Sequence, residues 1–154
     1  KGTEMVNLIK WCDERHEYYC ALASKFMSSI GKRFKHPTAT YIAKPIRRAG
    51  QADYIANACQ YNLVYAVGNE YEQTIAHEVA HLVVYQIHPY RPYYAAHGDM
   101  FKFVLEMILD RAPKKYHSYK YSDRDVALAQ LILLKYEQTH EVRDDFIGKV
   151  AANE

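Results

Sequence analysis

Apolar side chains recur at steps of three and four residues along the first thirty positions of the chain. The repeat comprises Met5, Leu8, Ile9, Cys12, His16, Tyr19, Cys20, Ala23, Phe26 and Met27. This spacing brings the side chains to one face of a helix, and a glycine such as Gly31 commonly follows a helix end. The pattern therefore predicts one long amphipathic helix that ends near Gly31 and serves as a lid or brace for a sheet.

Between residues 39 and 67 the pattern changes to tyrosine, isoleucine and valine residues bounded by proline and glycine. Such a pattern predicts three short strands. Helical spacing then returns in three segments, at about 70–87, 99–110 and 123–138. Because strands and helices do not alternate regularly, we expect an α+β fold with a small antiparallel or mixed sheet.

The first of these later helices carries the run His77-Glu78-Val79-Ala80-His81. Four residues turn a helix by about 400°, so His77 and His81 lie on nearly the same face and can reach one metal ion. Glu78 lies beside them, where its carboxylate can take a proton from a water that the metal activates. The run is short, but the apolar helix around it makes isolated surface histidines the weaker interpretation.

A catalytic zinc ion usually takes three protein ligands. In the extended metzincin pattern the third histidine would stand at position 87, where this chain has Ile87. His88 lies one position too late and is interpreted as a helix-end residue. Glu106, with Asp110 four residues later, offers a carboxylate from the next helix. His97, followed by Gly98 and a new helix from Asp99 or Met100, offers a third imidazole. The residues alone leave Glu106 and His97 open.

The string from Thr74 to Met107 resembles the SprT-like (Spartan) metallopeptidases, whose signature is HExxH followed by HGxxF or HGxxW. The second half of that signature matches His97-Gly98-Asp99-Met100-Phe101. The likeness covers about residues 35 to 120. A turn at Gly50-Gln51-Ala52 and a strand over residues 61–65 are expected where that family has a hairpin. The basic segment 113–117 resembles one found in bacterial members.

The resemblance implies a zincin-like fold in which His77, His81 and His97 bind Zn²⁺ and Glu78 is the general base. Glu106 then has a structural role or orients a ligand. Many relatives also carry a C-terminal zinc ribbon with two cysteine pairs. This chain has only Cys12, Cys20 and Cys59, none of them paired as CxxC, so residues 1–154 are expected to form a single domain without that ribbon.

Composition changes this interpretation little. The chain is 49% hydrophobic, has a net charge of +2, and has no run of apolar residues long enough to span a membrane. Scattered cysteines and the lack of a signal peptide predict an intracellular protein, cytoplasmic or associated with the nucleoid or nucleus. The sequence does not predict an oligomeric state. The other histidines are interpreted as packed or surface residues: His16, His36, His88, His117 and His140.

The distribution of basic residues and tyrosines is relevant to whether the protein binds nucleic acid. The basic runs are Lys32, Arg33, Lys35 and His36; Lys44, Arg47 and Arg48; and Lys114, Lys115 and Lys120. Fifteen tyrosines include Tyr90, Tyr93 and Tyr94 between the histidines, where rings could stack on bases. Composition alone favours solvated surfaces over a nucleic-acid site. The resemblance favours DNA, because Spartan-type relatives cleave proteins crosslinked to DNA.

The sequence thus predicts a zinc-dependent endopeptidase acting on a protein substrate, with DNA-associated proteins as one substrate class. Tyr93, Tyr94 and His117 are candidates for stabilising the oxyanion. The alternative is a nucleic-acid or protein binding module on the same scaffold, with little or no turnover. The presence of Glu78 argues against that alternative, because a structural metal site has no need of a base.

Overall fold

A computed structural model describes residues 8–89, 97–109 and 120–152 of the chain. Within these ranges lie five helices and a three-stranded sheet, which confirms the α+β expectation. The elements in chain order are α1 (Leu8–Ser29), β1 (Thr38–Ile42), β2 (Gly50–Asp53), β3 (Ala58–Asn62), α2 (Leu63–Ala66), α3 (Glu72–Ile87), α4 (Asp99–Leu109) and α5 (Asp123–Ala152).

Helix α1 follows the predicted apolar stripe. Its buried residues are Ile9, Cys12, His16, Tyr19, Cys20, Ala23 and Met27. The helix ends at Ser29, close to Gly31 as predicted, and Gly31 adopts φ 73°. The amide of Lys32 donates to the carbonyl of Met27 at 2.9 Å, and that of Gly31 to Ser28 at 3.0 Å. These two bonds form a Schellman cap, which satisfies carbonyls that the helix leaves open. The predicted first residue of the stripe, Met5, lies outside the described residues.

The sheet is mixed, with strand order β1-β3-β2. Strand β1 pairs with β3 in parallel, and β2 pairs with β3 in antiparallel fashion. The predicted turn at Gly50-Gln51-Ala52 is wrong, because these residues belong to β2 and lie opposite Tyr61, Gln60 and Cys59. The chain turns instead after Asp53, whose side chain accepts hydrogen bonds from the amides of Ile55 and Ala56.

The predicted strand over residues 61–65 is correct only as far as Asn62. The Asn62 side chain accepts a hydrogen bond from the amide of Val64, which caps the short helix α2. Its amide nitrogen donates to the carbonyls of Lys44 and Arg48 at 2.9 and 3.1 Å. Asn62 is fully buried. This one side chain therefore ends the strand, starts a helix and holds the segment that leads into β2.

Helix α3 lies at the centre of the described structure, in contact with α1, α4, β2 and β3. Its apolar side chains Ile75, Val79, Leu82 and Val83 are fully buried, as their spacing predicts. Glu72, in its first turn, accepts a hydrogen bond from the Tyr19 hydroxyl at 2.8 Å and lies 3.4 Å from Arg15. Helix α1 therefore braces the start of α3.

Helix α5 begins at the predicted residue but continues to Ala152, well beyond the predicted end at 138. Ser122 and Asp125 form a reciprocal cap at its start, in which each backbone amide donates to the other's side chain. No helix among the described residues is both long and apolar enough to cross a membrane.

Candidate metal centre

Three imidazoles meet beside α3. The Nε2 atoms of His77 and His81 are 3.0 Å apart, and the Nε2 atom of His97 lies 3.2 and 3.1 Å from them. His77 and His81 meet because they are one helical turn apart. His97 comes from a different part of the chain, immediately before α4. The described structure thus brings together the three histidines that the sequence singled out, and their nitrogens form a group able to hold a metal ion.

Phe101 supports all three rings from one side. It lies in the first turn of α4 and is buried. Its ring stacks on that of His81 at 4.4 Å and meets the rings of His77 and His97 edge-on at 4.8 and 5.1 Å. The aromatic position in the HGxxF string therefore has a direct physical purpose, because it limits the rotation of each imidazole.

Glu78 is the acidic group of the site. Its side chain is 5% exposed, and its Oε1 atom lies 3.8 Å from Nε2 of His77. The second oxygen, Oε2, is buried and has no hydrogen-bond partner among the described residues. An unsatisfied buried carboxylate oxygen is costly, so this atom marks a position prepared for a polar group from outside the fold.

Burial sets the protonation of the site. It raises the pKa of Glu78 to about 8, an effect that the positive charge of Arg48 partly opposes. It also lowers the pKa of His77 to about 4, with a smaller contribution from His97. At neutral pH the His77 imidazole is therefore neutral, which is the form that binds metal ions.

The other predicted ligand does not join the group. Glu106 is exposed on α4 and belongs to neither of the two groups of described side chains that are close enough together to hold a metal ion. His88 is the C-cap of α3, as predicted. The remaining candidates near the site, and part of the third basic run, lie outside the described residues: Tyr90, Tyr93, Tyr94, Asp110, Lys114, Lys115 and His117.

His16 is buried and His36 is exposed, which agrees with their interpretation as packed or surface residues. Together with Cys20 they form a second group whose donor atoms lie within 4.8 Å of one another. However, His16 Nε2 donates to the carbonyl of Pro37 at 2.9 Å, so Nδ1 accepts from the Tyr61 hydroxyl at 2.6 Å. His36 bonds Glu17 at 2.7 Å. A metal ion would have to displace these bonds, so we interpret this group as a packed polar cluster.

One contributor to the site was missed by the sequence interpretation. A Cβ atom on Gly50 would lie 3.0 Å from Thr74 Cγ2, 3.2 Å from Glu78 Cγ and 3.3 Å from the carbonyl oxygen of Gln60. Glycine at this position therefore lets β2 approach α3 at the level of Glu78. The only sequence signal was the glycine itself, which also fitted the predicted turn.

Comparison with known proteins gives one consistent result. The family model described as the SprT-like family matches residues 22–122. Protein SprT of Pseudomonas putida strain F1 is 31% identical over 98 residues, which cover 62% of this chain and 58% of that protein. Protein SprT of Pseudomonas paraeruginosa strain PA7 is 31% identical over 91 residues, covering 57% of this chain and 53% of the relative.

These matches span little more than half the length of the SprT proteins concerned. No solved structure matches the chain significantly. The family match includes α3, α4 and the imidazoles of His77, His81 and His97, and it extends over most of the described fold. The chain therefore belongs to the SprT-like family.

Proposed function

We propose that this protein is a zinc-dependent endopeptidase with a zincin-like fold. The observation that carries the proposal is the meeting of three imidazole nitrogens, 3.0 to 3.2 Å apart, beside the buried Glu78 carboxyl. The proposed ligands are His77, His81 and His97, and the proposed general base is Glu78. Membership of the SprT-like family supports this assignment.

The donor set fits a zinc ion. A neutral imidazole has a single N–H group, so three Nε2 atoms facing one another at these distances cannot all be satisfied by mutual hydrogen bonds. A shared cation removes the resulting conflict between lone pairs. Imidazole nitrogens at about 2.0–2.1 Å from a tetrahedral Zn²⁺ ion are about 3.3 Å apart, close to the spacing found here. A set of three protein ligands is also typical of catalytic rather than structural zinc.

The chain's own residues would divide the work of peptide hydrolysis. Zinc, when bound, supplies a Lewis acid that polarises the scissile carbonyl and acidifies water. Glu78 in its ionised form, which the charge of a bound zinc ion would favour over the protonated form of the metal-free site, takes the proton of the attacking water and delivers it to the amine that leaves. Phe101 keeps the three imidazoles in place, and the close contact of Gly50 with α3 keeps the Glu78 side chain against them.

Strand β2 provides a binding surface for an extended substrate. It is an edge strand of the described sheet and contacts α3. An extended peptide can pair with such an edge through backbone hydrogen bonds. We therefore propose that the substrate is an unfolded or loosely structured segment of a protein, bound with little dependence on its sequence outside particular subsites.

The surface next to the site supports DNA-associated proteins as a substrate class. Lys44, Arg47 and Arg48 are exposed in the segment that leads into β2, and Arg48 is close enough for its charge to act on Glu78. A phosphate backbone bound by these side chains would lie beside the substrate edge. We propose that single-stranded DNA brings its bound proteins to the site in this way.

The alternative function is a binding module that uses the metal for structure. Buried, unsatisfied Glu78 counts against it. A buried carboxyl with one unsatisfied oxygen destabilises the fold, even with His77 3.8 Å from its other oxygen, and a purely structural centre gains nothing in return. In a hydrolase the same carboxyl has a catalytic purpose.

The proposal predicts stoichiometric zinc in the purified protein, together with cleavage of a basic DNA-binding protein that increases when single-stranded DNA is added. The increase is expected because DNA would hold substrate and enzyme together. Zinc is measured by mass spectrometry of the metal and cleavage by gel electrophoresis. Stoichiometric zinc without cleavage in either condition would favour the binding module. Cleavage that DNA does not affect would remove only the DNA part of the proposal.

Replacing Gly50 with Ala is expected to lower kcat about tenfold while the zinc content is unchanged, because the contacts of the new Cβ atom would displace Glu78 by part of an ångström, and a full 1 Å misplacement costs about 100-fold. The added methyl group would press on Glu78 and Thr74 from β2. It should also lower the free energy of unfolding by about 1–3 kcal/mol, as overpacking does. The measurements are steady-state kinetics and urea unfolding.

Gly68→Ala is the matched control. Its new Cβ atom would also approach a side chain at 3.0 Å, but that side chain is Asp125 at the start of α5. This variant is expected to lose stability and keep its kcat. Equal losses of kcat in the two variants would mean that Gly50 acts through general stability and does not position Glu78.

A further inference from the structure

Two tyrosines stack beside the site in a position that the catalytic assignment does not explain. Tyr85 lies on α3 one helical turn beyond His81, and Tyr54 directly follows β2. Their rings stack at a centroid distance of 4.7 Å with 30° between the planes. Counted around the helix, Tyr85 falls about 80° from His77, between His81 at about 40° and Glu78 at about 100°. The pair therefore lies on the side of α3 that carries both the ligands and the acid.

The backbone around this pair is held firmly. The Asp53 carboxylate accepts hydrogen bonds from the amides of Ile55 and Ala56. Asn57 closes the turn in the left-handed region with φ 51°. The next residue of α3 after Tyr85, Gln86, donates to Asn57 Oδ1 at 3.3 Å and exchanges two hydrogen bonds of 2.8 Å with the backbone of Lys35. The turn that carries Tyr54 and the helix that carries Tyr85 are thus tied together independently of the stacking.

The pair belongs to an apolar surface that is open to solvent. Tyr54 and Tyr85 are each only half-buried. Ile55 follows Tyr54 in the turn and is 98% exposed. Among the large hydrophobic residues that the structure describes, it has the highest exposure. An isoleucine so fully in water, directly after one of the two stacked tyrosines in the chain, provides apolar area that a bound side chain could cover.

We propose that Tyr54, Tyr85 and Ile55 form a subsite that binds a large apolar or aromatic side chain of the substrate. This inference rests on the proposed peptidase function. One turn of helix places Tyr85 about 6 Å from His81 along the α3 axis. An extended peptide advances by about 3.3 Å per residue. The side chain bound by the subsite therefore belongs to the residue about two positions from the scissile bond, on one side of that bond only.

The test uses the zinc-loaded Glu78→Gln variant, so that binding is measured without turnover. The probes are short peptides of alanine and serine that carry a hydroxamate group to anchor them at the metal. One series carries the hydroxamate at the C-terminus of the peptide and the other carries it at the N-terminus. Phenylalanine is placed at each position in turn. In one of the two series, phenylalanine is expected to bind about tenfold more tightly than alanine at a single position, close to the second residue from the hydroxamate. This is the discrimination typical of an apolar pocket.

Changing Tyr85 to Ala in the same background is expected to remove this preference and to leave the affinity of the all-alanine probe within about twofold. Tyr85→Phe keeps the ring and should keep the preference. Tyr18→Ala is the matched control, since Tyr18 is an exposed tyrosine on α1 whose described ring contacts are Tyr19 and Arg15.

The subsite proposal is overturned if phenylalanine has no preferred position, if Tyr85→Ala weakens all probes equally, or if the zinc-loaded protein binds none of them. The peptidase proposal fails separately. If the preferred position is found but the chain with Glu78 intact cleaves no peptide that it binds, the subsite remains and the catalytic assignment is wrong.

Discussion

Replacing Glu78 with Gln should lower kcat for peptide hydrolysis by about 10³-fold or more, near the upper end of what a general base contributes. Glutamine has almost the shape of glutamate, so it should fit the space between β2 and the imidazoles. It cannot accept a proton from water, nor donate one to the amine that leaves. The zinc content should not change, because the proposed ligands are the three imidazoles. Cleavage is measured on a peptide substrate and zinc by metal analysis.

The effect of Glu78→Gln on stability provides a control for this variant. In the metal-free protein, the substitution should change how the free energy of unfolding depends on pH. Burial raises the pKa of Glu78 from its ordinary value of 4.5 to about 8. The folded chain therefore holds this proton more tightly than the unfolded chain does, so between pH 4.5 and 8 this group lowers the free energy of unfolding as the pH rises. Glu78→Gln lacks this contribution.

We therefore expect the metal-free variant to gain stability over the metal-free parent as the pH increases from 4.5 to 8, measured by urea unfolding at several pH values. If hydrolysis persisted in Glu78→Gln with this stability pattern present, the carboxyl would be buried as described but would not be the base. Loss of both zinc and folded structure would instead show that Glu78→Gln disrupts the fold, so that its effect on kcat does not report on the role of the base.

His97→Ala should weaken zinc binding by more than about 100-fold, beyond the 10- to 100-fold loss typical of residues that only orient a ligand. Its Nε2 atom lies 3.1 and 3.2 Å from those of the other two histidines. Removing it leaves a site with two imidazoles, which is too few for tight binding. Affinity is measured by competition with a chelating dye.

Glu106→Ala is the matched control, because Glu106 is an exposed residue of the neighbouring helix and was the other candidate for third ligand. Its zinc affinity should stay within about threefold of the parent, since outer residues that do matter cost at least about tenfold. The reverse order, with Glu106→Ala losing zinc and His97→Ala keeping it, would support a site with a carboxylate as third ligand.

Local sequence patterns predicted the parts of this fold that depend on residues close together in the chain. The spacing of apolar residues identified α1 and α3, and Gly31 marked the end of α1 because its left-handed conformation suits glycine. The pairing of His77 with His81 was predictable for the same reason, since both lie on one helix. Each of these features depends on contacts within five residues along the chain.

The errors involve contacts between distant residues. Gly50 fits a turn equally well, and only its approach to Thr74 and Glu78 shows why glycine is required in β2. The end of β3 depends on Asn62, whose side chain bonds carbonyls 14 and 18 residues earlier. The proximity of His16 and His36, which are 20 positions apart, also had no sequence signal, although each was correctly interpreted as a packed or surface residue. Periodicity carries no information about such contacts.

The imidazole group joins two helices that are separate along the chain. His77 and His81 belong to α3, and His97 precedes α4, so an ion held by all three would link two parts of the chain whose histidines, His81 and His97, are 16 positions apart. Ion binding and the docking of α4 are then thermodynamically linked. The free energy by which the ion stabilises docked α4 equals the free energy by which docked α4 strengthens ion binding. If the proposed metal site is correct, scarcity of metal would therefore destabilise the docking of α4 and abolish the proposed hydrolysis together, and a cell's proteases could then degrade the metal-free chains.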